Sequence, residues 1–512
     1  MFWQPIVAKP FETMKTHLLT RTGLFAGLVL ALASAYSAEN QANIDKTFRV
    51  NSGGTLTIAA DQGAIEVSPD GGDQVHVVVT REAKHATKAE AEKLLANHEI
   101  TLNQDGDSVS ITAKNNEERL SIFRIRRAYL EVHYRVSVPK KYNVNLRTSG
   151  GDISLADLEG EAQMRTSSGT ITAGRVSGKV AAHDSGGDVR LTEAAADLNA
   201  STSSGSIEIG KVRGKAELAD SGGNIRVEDA SGDVLARTSS GGITLKAVKG
   251  NVEARNSGGD ITIEASEGRV SARTSSGAIH VGRAGGDSVD AKNSGGDVEI
   301  GEAGGSVMAE TSSGHIEVGT AKGRVEAKNS GGDIRLGECD GPVVAHTSSG
   351  TIHIKQARGA AEVRNSGGDV KIDEADGDTV ARTSSGSIVI RLAKGRVDAK
   401  NSGGNVEVTE AHAAVSANTS SGEIALGFVE QPKSDCRLDV SGGGIQVSLP
   451  RSAGVELDAQ SSGGKVVTDL PVTVTVQGET HEGALRGKIN GGGPALVLRS
   501  SSGDIRLRTG SL

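Results

Sequence analysis

From Gly151 onward the chain repeats one short pattern: a glycine, a polar residue, then two apolar residues flanking a polar one. Gly259-Asp260-Ile261-Thr262-Ile263 and Gly268-Arg269-Val270-Ser271-Ala272 are examples. The glycine returns every nine residues, through Gly160, Gly169 and Gly178 to Gly404 and Gly422. Ala196 and Ala413 stand in for it, and one residue is inserted around Asp287-Ser288. Side chains alternate faces along an extended chain, so apolar residues at i and i+2 predict a minimal half-buried strand. The preceding glycine is expected to adopt a positive φ and turn the corner. Each nine-residue unit is then one strand plus one corner.

Two longer periods constrain the cross-section. The second apolar residue alternates large and small, from Ile261-x-Ile263 to Val270-x-Ala272, then Ile279-x-Val281 and Val289-x-Ala291, which is a period of 18. The corners alternate more slowly: Asn-Ser-Gly-Gly at Asn256, Asn293 and Asn329 interleaves with Thr-Ser-Ser-Gly at Thr238, Thr274 and Thr311, a period of 36. A two-sided coil of 18 residues stacks large strands on large and small on small, whereas a three-sided coil of 27 scrambles both periods. A four-sided coil of 36 would also stack Asn on Asn in amide ladders. The expected fold is all-β: a parallel β-solenoid, or β-helix, with two strands per 18-residue coil preferred and 36 left open. At ~4.8 Å per strand the repeats make a rod of roughly 70 Å in the first case and roughly 37 Å in the second.

The ends break the pattern. Lys15 and Arg21 precede an apolar run from Leu24 to Ala33, followed by small-residue sites at Ala33-Ser34-Ala35 and Ala35-Tyr36-Ser37, so residues 1–37 read as an export signal. Met14 is an alternative start. Residues 38–148 form a β-rich N-terminal cap with one short helix over Lys84–Leu95; 149–427 are the solenoid repeats; 428–512, with Pro432, Pro450, Pro471 and Pro494, form a β-rich C-terminal cap. Open terminal sheets would pair with other molecules, which is why caps are expected. The mature chain holds no second membrane-length apolar stretch, and its address is extracytoplasmic: periplasm, cell surface or medium.

Composition narrows the picture further. The 512 residues include 69 Gly but only 6 Phe, 4 Tyr and 1 Trp, so a thick globular core cannot be filled. With 9 Pro and no G-X-Y period the chain is not collagen, and at 36% hydrophobic it is not a disordered polyampholyte. A formal charge of −8 gives no global attraction to nucleic acid. Cys339 and Cys436 would sit several coils apart, beyond bridging distance.

The Ser-Gly-Asp-[Ile/Val]-x-[Val/Leu] pattern follows a segment ending Val138-Pro139-Lys140. Near the other end stand Asn490-Gly491-Gly492-Gly493-Pro494 and Ser501-Ser502-Gly503-Asp504-Ile505. Together these resemble the bacterial putative-adhesin β-strand-repeat proteins, a solenoid-forming domain family of unknown function. The resemblance covers nearly the whole mature chain. It implies the fold and a surface role, and carries no catalytic residues to transfer.

Candidate chemistry is sparse. Asp184-Ser185-Gly186-Gly187 spells the surroundings of a serine-protease nucleophile, but Asp220-Ser221-Gly222-Gly223 repeats it, which marks a structural corner. A polysaccharide-cleaving β-helix needs clustered carboxylates and aromatic platforms, and no Phe, Tyr or Trp lies between Ser149 and Gly427. Calcium candidates are Asp260, Asp297, Asp333 and Asp369, which follow Gly-Gly at the corners. The plainer reading is that they accept hydrogen bonds from their own corner amides. The histidines look like solvated singletons. A cation precedes many corners, at Arg165 and then at Arg237, Arg255, Arg273, Lys292, Lys328, Arg364, Arg382 and Lys400. On an 18-residue coil these align on one edge, where they could engage a polyanion such as an envelope polysaccharide or simply keep the stack soluble. The functional expectation is an exported, non-enzymatic solenoid with a structural or adhesive envelope role, using no cofactor, whose partner is an envelope polysaccharide or another surface protein. A polysaccharide-active enzyme and a calcium-stabilised secreted module are the alternatives.

Overall fold

Strands of alternate units hydrogen-bond only to one another, at a spacing of 18 residues. In the computed structural model, which describes residues 40–70, 72–116, 128–474 and 481–512, Ile261 is in parallel register with Ile243 and Ile279, and Val270 with Val252 and Val289. The chain therefore winds as a two-sheet parallel solenoid with an 18-residue coil. The 36-residue coil does not form. Thr311 lies in register with Asn329, Thr347 with Asn365 and Thr383 with Asn401, so the period of 36 is the alternation of two kinds of coil, and Asn never stacks on Asn in these pairs. The insertion at Asp287 is absorbed in a corner, so both sheets regain register with Val270 opposite Val289. The export-signal segment 1–37 and Met14 lie outside the described residues.

The two strands of a coil differ more than their sequences do. One is six residues long, as in Ile261–Ser266, and buries its first, third and sixth positions; the other, as in Val270–Arg273, buries two. The extra inward position is held by small residues such as Ala284, Ala303, Ala321 and Ala357, all buried. The core is thus a flat layer of Ile, Val and Leu facing Val and Ala. Where the short strand reverses its order, as in Ala361-Glu362-Val363, large and small exchange places and the volume is kept. Each fully buried Ile or Val contributes ~1.5–3 kcal/mol, so stability accumulates coil by coil without aromatic residues.

The corner glycines are there for space. Among the described glycines of the repeats, only Gly151 and Gly350 have left-handed φ values, 139° and 141°. The expectation of a positive φ at every corner is therefore corrected. A Cβ on Gly259 would lie 2.3 Å from the Gly241 carbonyl oxygen, and one on Gly277 2.2 Å from that of Gly259. Successive corners approach so closely that a column of backbone on backbone leaves no room for a methyl group.

Buried Thr and Asn side chains close the same corners. The Thr274 hydroxyl donates to the Gly259 carbonyl at 3.0 Å, and the Asn293 amide donates to that of Gly277 at 2.6 Å. Asn293 Oδ1 also accepts from the Gly295 amide within its own turn, at 3.2 Å. A corner polar group left alone would cost about 1–3 kcal/mol, so these contacts fix the stacking of one coil on the next.

At both ends the coil order departs from the chain order. Thr55–Ala60 pairs with both Asn143–Thr148 and Ser108–Asn115, and Ala64–Pro69 with both Ile153–Leu155 and Tyr129–Val138. Residues 495–509 likewise form a coil inserted between 436–449 and 455–468. Beyond these, the pairing turns antiparallel: Gln41–Arg49 with Gln74–Lys84, His98–Asp105 with Ser108–Asn115, and Ala484–Ile489 with Val455–Ser461. The helix spans Lys88–Asn97 and starts later than the sequence pattern predicts. Lys84 ends a strand, His85 turns with φ 54°, and Thr87 caps the helix in a box with Glu90.

Candidate binding surface

Outward residues at equivalent positions form straight columns along the rod. On the short-strand face, Arg147, Arg165 and His183 share one column; Ser201 and Ala219 follow, and all eight predicted edge cations from Arg237 to Lys400 then continue it, with Glu310 and His346 interrupting. The structure therefore brings the predicted cations together. It also gives each a carboxylate. Arg237 and Arg255 share Glu253 at 3.7 and 2.7 Å; Arg273 meets Asp290 at 2.6 Å and Lys292 meets Glu310 at 3.5 Å. Lys328 meets Glu326 at 2.5 Å, Arg364 meets Glu362 at 2.6 Å, and Arg382 and Lys400 share Asp398 at 3.7 Å each. Except for Glu310, which lies in the cation column itself, the acids stand one column over, two residues before a cation of the same strand or of the next coil. Exposed pairs of this kind add ~0–1 kcal/mol each but cancel most of the local field.

The N-terminal stretch of the column is different. Arg147 and Arg165 are exposed, and among the described residues neither makes an ion pair, because the adjacent column there reads Asn145, Gln163, Ala181 and Asn199. A shallow trough of about 350 Å³ runs over the coils from Glu161 to Glu217; Gln163, Ala181 and Asn199 line it together with the mixed charges of Glu161, Lys179, Asp197, Lys215 and Glu217, and neither arginine is part of its lining. His183 Nδ1 lies 2.8 Å from Ser201 Oγ, and burial, with Arg165 beside it, holds the imidazole below its ordinary value.

The calcium candidates are engaged with backbone one coil away. Oδ1 of Asp260, Asp297, Asp333 and Asp369 accepts from the amides of Ala278, His315, Thr351 and Ser387 at 2.8, 2.9, 2.9 and 2.7 Å. The expected partner was the residue's own corner, and the stacking supplies the next coil's corner instead. Successive Asp in this ladder are two coils apart, about 10 Å, too far to share one cation. Among the described residues no three His, Cys, Asp or Glu side chains are placed to hold a metal ion. Asp184 accepts from the amides of Ser185, Gly186 and Gly187, which makes the protease-like tetrapeptide a corner device.

The histidines are not singletons once the coils stack. His280 lies 3.1 Å from Glu299, His315 2.9 Å from Asp297, His353 2.9 Å from Asp373 and His412 3.2 Å from Glu430. These partners are 18 to 20 residues away, so a search at local ligand spacing misses them, whereas pairing positions i and i+18 finds two of the four, His315 with Asp297 and His412 with Glu430. Carboxylates with displaced values are held low: Lys246 and Arg226 do this for Glu228. A glycosidase acid needs the opposite displacement. Cys339 and Cys436 are free and buried; Cys339 sits in the inward alanine column between Ala321 and Ala357, where burial pushes its thiol up to about 11.

An 18-residue coil, paired charges along its outer columns and buried Asn and Thr at its corners define a parallel β-solenoid repeat protein. The chain belongs to the Toastrack DUF4097 family, whose pattern matches residues 54–319, 319–442 and 396–508. The resemblance drawn from the Ser-Gly-Asp and Val-Pro motifs therefore holds. Solved structures with a likeness include a putative cell adhesion protein from Clostridium sporogenes, 10% identical, covering 47% of this chain and 99% of that one at a TM-score of 0.19. A putative adhesin from Bacteroides fragilis is 13% identical, covering 55% and 97%, at a TM-score of 0.20. No curated protein matches the chain. No helix among the described residues is long and apolar enough to cross a membrane.

Proposed function

We propose that this protein is an exported, non-enzymatic β-solenoid with a structural or adhesive role in the bacterial cell envelope. In this reading residues 1–37 are an export signal, the antiparallel ends of 38–148 and 428–512 are caps, and 149–427 form the rod. The observation that supports it most is the rod's construction: its long faces carry repeated, mutually paired charges from coil to coil, which suits reach and durability better than a single reactive cleft. The test is to tag the C-terminus, fractionate the producing cells and sequence the mature N-terminus. Cleavage after Ala35 or Ser37 with recovery outside the cytoplasm is expected. An unprocessed chain confined to the cytoplasm refutes export and the envelope role with it.

A further inference from the structure

We propose that the Asp220 carboxylate and the Gly205 carbonyl oxygen hold a calcium ion between successive coils of the rod. The site is independent of the export reading and differs from the Asp260 ladder, whose carboxylates are already engaged with backbone amides.

The corners carry the inference. At every corner from Thr238 to Thr419 the first side chain, Thr or Asn, donates to a glycine carbonyl of the preceding coil, and Thr166 and Thr202 do the same. Asp184 and Asp220 take that place in two corners, and an ionised carboxylate has no proton to donate. Asp220 is only 7% exposed. Its Oδ1 accepts from the Ser221 and Gly222 amides at 2.6 and 3.1 Å, while its Oδ2 is buried with no hydrogen-bond partner. That oxygen is aimed at the glycine column. A Cβ on Gly223 would lie 2.8 Å from Asp220 Oδ2 and 1.9 Å from the Gly205 carbonyl oxygen; a Cβ on Gly259 would lie 2.9 Å from Asn256 Nδ2 and 2.3 Å from the Gly241 carbonyl oxygen. Where Asn256 brings a donor to 2.6 Å from a carbonyl, Asp220 therefore brings an acceptor. Two oxygens facing each other in a buried corner repel, and a cation between them turns the repulsion into attraction. At Asp184 the Gly187 amide already occupies Oδ2 at 2.8 Å, so the inference rests on Asp220.

The ligands select the ion. A carboxylate oxygen and a backbone carbonyl are hard donors, which suit calcium and not a metal that seeks thiolate or imidazole. Calcium takes six to eight oxygens at ~2.3–2.6 Å in loose geometry, so two protein oxygens converging on one point can share it. Water completes the shell, because Ser221 and Gly222 beside the carboxylate are exposed. Magnesium demands a near-ideal octahedron and gives up water reluctantly, which two fixed oxygens do not offset. The ion stands in for the hydrogen bond that Thr or Asn makes elsewhere. Calcium thus ties the coil of Gly205 to that of Gly223, and the local stability of this stretch follows the calcium concentration.

The test uses the full chain stripped with EDTA. Hydrogen exchange of the amides from Gly205 to Ile225 and urea unfolding are followed as CaCl2 rises to about 10 mM, with MgCl2 and NaCl of equal ionic strength as separate arms. For a Kd of about 1 mM, opening of this corner should be suppressed about tenfold at the highest calcium, with exchange slowed to match. Asp220→Asn should abolish the response, because its amide supplies the missing donor, and in EDTA it should be the more stable protein. Asp260→Asn should keep the response. Asn256→Asp should gain a calcium response between Gly241 and Ile261 that the wild type lacks. No calcium effect on the wild type, an equal effect in Asp220→Asn, or an effect reproduced by MgCl2 or NaCl overturns the proposal.

Discussion

Adjacent glycines at one corner should respond to alanine in opposite ways. A Cβ on Gly241 would lie 1.9 Å from the Gly223 carbonyl oxygen, 2.3 Å from its carbon and 2.9 Å from the Asn224 nitrogen. A Cβ on Gly242 would meet nothing nearer than 3.6 Å. Neither residue has a positive φ, so backbone strain does not distinguish them. To reach an ordinary contact distance, coils 223 and 241 must separate locally by about 1.5 Å, which stretches the bonds between them, Ile225 N–H to the Gly242 carbonyl at 2.9 Å and Gly242 N–H to Asn224 Oδ1 at 2.7 Å. Two or three weakened hydrogen bonds at ~0.5–1.5 kcal/mol each, or equivalently one overpacked site, place the cost of Gly241→Ala at about 1–4 kcal/mol. Gly242→Ala should be neutral or stabilising by about 0.4–1 kcal/mol, because it only restricts the unfolded chain. A long stack need not unfold in one step, so urea melts should be paired with hydrogen exchange over residues 225–261. Protection there should drop in Gly241→Ala and hold in Gly242→Ala. Equal stability of the two variants would refute the close-approach explanation and restore backbone conformation as the reason for glycine.

Asp220 Oδ2 is buried without a hydrogen-bond partner at a corner whose equivalent two coils on, Asn256, donates to the carbonyl of Gly241. Asp220→Asn should therefore stabilise by about 1 kcal/mol, seen as a raised urea midpoint; a lowered midpoint contradicts the role given to the corner amides. In the N-terminal region, burial and then Arg81 lower the His98 value, so the fold favours the neutral ring. The unfolded chain takes up that proton first, so stability is full above about pH 6.5 and declines as pH falls from there toward the lower folded value. Exchange protection of residues 98–105 should weaken from pH 7.5 to 5.5 in the wild type and much less in His98→Gln; an identical decline in both excludes His98 as the cause. Cys339 and Cys436, buried and with raised thiol values, should resist iodoacetamide at pH 8 until denaturant is added, as read by mass spectrometry. Rapid labelling of native protein would mean that the inward column opens.

The sequence by itself determined the strand, the coil and the inside of the coil. Ile261-x-Ile263 and Val270-x-Ala272 alternate because a half-buried strand has a period of two, and their 18-residue recurrence follows because large must stack on large. That logic could not decide what happens across the stack. Whether Asn sits over Asn or over Thr depends on the coil length, and only the register of Thr311 with Asn329 settles it. Why glycine is required also lies in the stack: the obstacle to a Cβ on Gly259 is the carbonyl of Gly241, eighteen residues earlier. The same holds for the candidate surface. The cation column was legible because it recurs, whereas its neutralisation by Glu253 or Asp398, the uncompensated pair Arg147 and Arg165, and the histidine–carboxylate contacts all need two positions brought together by coiling. The inserted coils at both ends lie furthest from sequence reading, since nothing in residues 495–509 says that they slide between 436–449 and 455–468. A strand's own pattern says which side faces in, while its neighbours are chosen by tertiary packing that fills each edge with the best available partner.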